Sequence, residues 1–86
     1  MLLRDIIVQK EYGTWIFHYK AKDGTIFFDP QGESVHIHYG YNESENMPEL
    51  IGDYKNISIA INSFCIEGIP LIDLLDIISC ERLNVY

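Results

Sequence analysis

Between Thr14 and Gly40, β-branched and aromatic residues alternate with polar ones, and the runs are cut by Asp23-Gly24 and Pro30-Gln31-Gly32. A period of two puts successive side chains on opposite faces of an extended chain, so this stretch is held to strands with one apolar face. With the residues before Tyr12-Gly13 included, four strands are expected at roughly 4–11, 14–22, 25–29 and 34–40. Asp23-Gly24 is the strongest hairpin signal, because a two-residue type I′ turn needs φ > 0 at both central positions and Asp and Gly tolerate it.

That turn predicts a register. With Lys22 opposite Thr25, Tyr19 faces Phe28, Ala21 faces Ile26 and His18 faces Asp29. One face then holds Trp15, Phe17, Tyr19, Ala21, Ile26 and Phe28. A two-residue Tyr12-Gly13 turn adds Ile6 and Val8 and sets Asp5 opposite Lys20. A loop at Pro30–Glu33 adds Val35, Ile37 and Tyr39. Three turns agree on one core face, and such agreement between levels carries more than any single propensity. The other face is mixed: Ile7, Ile16, His18, Lys20, Phe27, Asp29, Ser34, His36 and His38. Phe27 and Ile16 there await a cover from the rest of the chain or a partner.

Beyond Gly40 the pattern weakens. Residues 40–50 read as a polar loop entering a short helix near Pro48–Asp53. Ile57, Ile59 and Ile61 alternate with Ser58 and Ala60 as a fifth strand, extendable through Phe64–Ile66 and ended by Gly68. A C-terminal helix then starts at Pro70, with Leu71, Leu74, Leu75 and Ile78 at helical spacing. Ile72 and Ile77 widen its apolar arc, leaving Asp73, Asp76 and Cys80 as a contrary stripe. Leu83–Tyr86 is a candidate edge strand. The expected fold is therefore α+β: one domain over residues 1–86, an antiparallel sheet of about five strands in a meander, and a C-terminal helix packed on one face.

Charge excludes whole classes of partner. Thirteen acids against six bases give a net charge of −7, which repels phosphate backbones and anionic membranes. The imbalance is local: residues 1–42 are nearly neutral at −1, whereas residues 43–86 carry −6. Direct nucleic-acid binding and membrane association are not expected. Met1–Leu3 is followed at once by Arg4 and Asp5, so no leader-like apolar stretch opens the chain, and a soluble, cytoplasmic protein is expected. Cys65 and Cys80, with fourteen residues between them and no intervening His, match neither a disulfide framework nor a metal pattern and read as buried thiols. The sequons at Asn42 and Asn56 carry no weight without a secretory signal.

The candidate chemistry is thin. His36 and His38 share one side of a strand, as strand-borne zinc ligands do, and are the candidate metal residues of a metal-dependent enzyme. A third ligand is the difficulty: His18 lies two strands away, near twice the ~4.8 Å strand spacing, against metal bonds of ~2.1 Å. The predicted row of His18, Asp29 and Ser34 contains the residue types of a hydrolytic triad in the wrong order, since His must stand between nucleophile and acid. The glycines are isolated and form no phosphate loop. No catalytic residue and no cofactor are expected.

What remains is a surface. Tyr39, Tyr41 and Tyr54 flank a loop that carries Glu43, Glu45, Glu49 and Asp53, and tyrosine gives large contact area at low entropic cost. The residues expected to contact a partner are Tyr41, Glu43, Glu45, Glu49, Asp53 and Tyr54, with Asp73 and Asp76 on the helix. The expected function is a small acidic inhibitor that blocks a basic site on another protein, the strategy of immunity proteins, antitoxins and phage anti-defence proteins of the anti-CRISPR kind, an analogy of charge and size only. The alternative is a structural subunit or homodimer assembling through the apolar C-terminal helix.

Overall fold

The computed structural model describes residues 1–29, 31 and 34–83. An antiparallel five-stranded sheet forms its centre: β1 (Gly13–Tyr19), β2 (Lys22–Phe28), β3 (Val35–Tyr39), β4 (Leu50–Tyr54) and, closing the far side, β7 (Ser79–Arg82). The order across the sheet is β4-β3-β2-β1-β7. Two short helices, α1 (Leu3–Val8) and α2 (Ile57–Ser63), and a minimal hairpin of β5 (Cys65–Ile66) and β6 (Ile69–Pro70) complete it. The architecture is α+β, as expected. A meander is present too, but it runs from β1 to β4, with Leu50–Tyr54 as a strand and residues 3–8 as a helix, so only β1, β2 and β3 match expected strands.

The first hairpin turns at Lys20-Ala21, not at Asp23-Gly24. Tyr19 faces Lys22 instead of Phe28, a slip of six residues, and Asp23 and Gly24 lie inside β2 opposite His18 and Phe17. Lys20 accepts a left-handed φ of 57° to make the turn. The reason lies in one row of the core. Gly24 stands between Phe17 and Tyr39, whose rings stack across it at 5.7 Å. A Cβ on Gly24 would sit 2.2 Å from the Phe17 ring, so the residue that looked like a turn former makes room for aromatic packing. Because the slip is even, the strand residues from Trp15 to Phe17 and Ile26 to Phe28 keep their predicted faces, whereas Ala21, expected on the core face, is exposed in the turn. Trp15, Phe17, Ile26, Phe28, Val35, Ile37 and Tyr39 are all buried together.

Two elements exchange their expected types. Residues 57–61 form helix rather than strand. Asn56 caps α2 by accepting from the Ile59 N–H at 2.9 Å, and Ile57, Ala60, Ile61 and Phe64 turn towards the core at i, i+3, i+4 and i+7. Conversely, no continuous helix runs from Pro70 to Cys80: a 3₁₀ turn at Leu71–Asp73 gives way to further turns and then to β7. Leu71, Leu74, Leu75 and Ile78 are nonetheless buried, as their spacing predicted.

The residues expected as a strand at 4–11 explain the missing helix. They form α1, with Leu3 and Ile6 buried, rather than a strand that hairpins at Tyr12-Gly13. The first N–H groups of a helix have no intrahelical acceptor. Those of Leu3 and Arg4 bond to the carbonyls of Ile78 at 2.9 Å and Leu75 at 3.0 Å. The Leu75 carbonyl would otherwise accept within a C-terminal helical ladder. The two segments thus satisfy each other, and Asp5 lies by the Leu2 N–H at 3.1 Å, away from Lys20.

Other departures are local. The short helix expected near Pro48–Asp53 is the strand β4. The C-terminal edge strand is seen at Ser79–Arg82; of the proposed Leu83–Tyr86, Asn84–Tyr86 lie outside the described residues, as do Pro30, Gly32 and Glu33 of the predicted loop. Cys80 is buried and its thiol is pushed up to about 11 by desolvation, whereas Cys65 is exposed rather than buried. Among the described residues, no helix is long and apolar enough to cross a membrane.

Candidate functional site

The acidic segment is a closed loop feeding an edge strand. Asn42 and Met47 exchange two backbone hydrogen bonds, at 2.8 and 3.2 Å. The Asn42 carboxamide oxygen accepts from the N–H groups of Ser44 and Glu45 at 3.1 and 3.3 Å, the local bonding that makes Asn a turn former. Asn46 takes a left-handed φ of 55°, and the Tyr41 hydroxyl donates to its side chain. Glu43 and Glu45 project from this loop, exposed, with no cationic partner among the described residues.

The remaining predicted contact residues divide. Glu49 accepts from Lys22 at 2.8 Å and Asp53 pairs with His36; both carboxylates stay accessible. Tyr41 is more than half exposed. Tyr54 is half-buried and packs against the core, its ring lying over Gly52, where a Cβ would meet the Tyr54 hydroxyl at 2.5 Å. Asp73 is exposed in the 3₁₀ turn. Asp76 is held by the Arg4 guanidinium, with one bond of 2.8 Å, and that pairing keeps its carboxyl below the usual carboxylate range. It sits where α1 meets the approach to β7, across the sheet from β4, so it does not join the Glu43–Asp53 surface.

Ile16 and Phe27 are part-buried outside the main core, Phe27 with its ring stacked on that of His36 at 6.0 Å. The second face of the sheet lies outside the buried core and presents Ile51, His38, Thr25, Ile16 and Glu81 in one row and Asp53, His36, Phe27 and Thr14 in the next. Ile51 is half exposed. His36 and His38 lie here, as predicted, but among the described residues no three His, Cys, Asp or Glu side chains gather as metal ligands. The slipped register also dissolves the row of His18, Asp29 and Ser34. His18 instead lies between Asp23 at 2.6 Å and Glu81 at 3.0 Å, and hydrogen bonding first to Asp23, then to Glu81, raises its pKa. Asp29 accepts from Gln31 N–H at 3.0 Å and from the Ser34 hydroxyl at 3.4 Å, well apart from His18.

One feature had no sequence signal. A pocket of about 350 Å³ opens at the end of the sheet beside the acidic loop, floored by Tyr39, Leu50 and Ile66. Its rim carries the ion pairs Lys20–Glu67 and Lys22–Glu49. Its lysines and glutamates come from three separate segments, the β1–β2 hairpin, the approach to β4 and the β5–β6 turn, so only folding joins them.

No protein-family model, curated protein or solved structure matches this chain. Function is therefore argued from geometry and charge.

Proposed function

We propose that the chain is a non-enzymatic protein-binding module, a small acidic inhibitor that covers a basic surface on a protein partner. The observation that carries this reading is the segment from Tyr41 to Asp53. It displays Glu43, Glu45, Glu49 and Asp53 at one edge of the sheet, and Glu43 and Glu45 have no cation of their own among the described residues. A hydrogen-bonded loop under unpaired charge suits electrostatic recognition, since charge complementarity sets on-rate and partner choice. Tyr41 supplies an exposed aromatic beside those charges. Asp76, engaged by Arg4 at the opposite side, and Tyr54, turned into the core, are left out of the contact surface, and Asp73 is not needed for it.

The test is capture from native extract with the full chain as bait, followed by the same capture with Glu43→Lys/Glu45→Lys. The expected result is a basic protein retained by the wild type, released by salt, and lost in the variant. Unchanged binding and salt dependence in the variant would overturn the assignment of this surface.

A further inference from the structure

The two edges of the sheet differ in how their backbone groups are satisfied. In a strand, the N–H and C=O of one residue point to the same side, alternating along the chain. Gly40 N–H donates to Asp23 O at 3.0 Å and Asp29 N–H to Ser34 O at 3.2 Å, so even-numbered β3 residues bond towards β2. Odd-numbered ones therefore bond towards β4, where their partners are Leu50, Gly52 and Tyr54. Ile51 and Asp53 are left aiming their N–H and C=O groups away from the sheet, with no backbone or side-chain partner among the described residues. On β7 the same alternation turns Cys80 outward. There Met1 takes both groups, accepting from Cys80 N–H at 2.6 Å and donating its amino terminus to Cys80 O at 3.1 Å. The β7 edge is thus closed at Cys80, although Arg82, turned outward by the same alternation, has no backbone partner among the described residues, whereas on β4 both outward residues are open.

An open edge is a template for another strand, and proteins commonly blunt it with lysine or proline. Leu50–Tyr54 contains neither. We propose that β4 docks an extended basic segment of a protein partner, which adds alongside it and exchanges hydrogen bonds with Ile51 and Asp53. This rests on the acidic-contact reading above and gives it a binding mode. Charge selects the occupant. Pairing β4 with the β4 of a second copy would set two chains of net charge −7 against each other and double the acids along one seam. A segment with alternating basic and apolar residues instead puts its cations beside Asp53 and its apolar side chains beside Leu50 and Tyr54, because strand side chains alternate in face.

A capped Lys-Val-Lys-Val-Lys-Val peptide, titrated at low salt into the isotopically labelled full chain, tests this. Binding is expected to slow hydrogen exchange at the Ile51 and Asp53 amides, which the wild-type protein reports without mutation. Ile51→Pro removes an outward donor and no bond of the β3–β4 ladder, and should weaken binding tenfold or more. Glu43→Lys/Glu45→Lys should weaken it severalfold and flatten its salt dependence. Binding without protection at Ile51 and Asp53, or undiminished in Ile51→Pro, overturns the added strand while leaving the acidic contact standing. Equal binding of Glu-Val-Glu-Val-Glu-Val, or tolerance of both lysines, overturns the basic occupant and the acidic reading with it. No binding of the lysine peptide overturns the proposal outright.

Discussion

Gly24 and His18 show how much one position can decide. Gly24 lies under the Phe17–Tyr39 stack, and a methyl group there also approaches the His38 carbonyl at 2.5 Å. Overpacking of this kind costs about 1–3 kcal/mol. Gly24→Ala is expected to lose about that much in urea unfolding, a cost that a turn glycine replaced at a compatible backbone angle would not incur. His18 tests the open face. Its raised pKa means that its pairing with Asp23 and Glu81 stabilises the fold fully below the unfolded value near 6.5 and that this contribution fades as pH rises through the higher folded value. Imidazole NMR should give a His18 midpoint above 6.5. The stability margin over His18→Gln should shrink between neutral and mildly alkaline pH; a midpoint below 6.5 would remove the carboxylate clamp. The turn signal at Asp23-Gly24 was legible as glycine chemistry, but whether that glycine serves a turn or a close aromatic contact depends on partners from other strands.

At the scale of elements, the two exchanged segments have different lessons. For α2 the information is present in the sequence: Asn56 precedes residues at i, i+3, i+4 and i+7, yet Ile57, Ile59 and Ile61 fit a period of two equally well, and their β-branched side chains favour strand locally. Ile59, the residue that a strand would have buried, is exposed. Asn56→Ala should lower stability by about 1 kcal/mol through the lost cap, with loss of helical signal in circular dichroism; an unchanged midpoint would argue against the cap. For residues 70–80 the apolar spacing predicted burial correctly and structure wrongly. Spacing reports which side chains face the core, whereas the ladder depends on where carbonyls are bonded, and those of Leu75 and Ile78 go to α1. Ile78 is fully buried at that junction, so Ile78→Ala should cost about 2–5 kcal/mol, measurable as a lower denaturation midpoint.

The whole molecule is a layered structure with one covered sheet face, one open face and unequal edges. Its order of opening should follow that layout. Amide exchange is expected to be slowest in β1, β2 and β3, each flanked by neighbours on both sides, and fastest within the sheet at the outward amides of Ile51 and Asp53; protection of those two amides in the free protein would mean that the β4 edge is already paired. The exposure of Glu43 and Glu45 on a polar loop was legible, because their charges are local in the chain and solvent keeps them outside, whereas the strand that follows at Leu50–Tyr54 was not. The break-up of the predicted contact set was not, since Asp76 meets Arg4 only across the fold. The sequence by itself determined the core face of β1 to β3 and the buried positions Leu71, Leu74, Leu75 and Ile78, because a period of two survives an even slip in register and apolar spacing reports burial even where no helix forms; where strand became helix, as at Ile59, the buried set changed with it. Tertiary structure alone decided the register, the types of three segments and the open edge, because these depend on long-range competition for space, as at Gly24, and for backbone acceptors, as at Leu75 and Ile78.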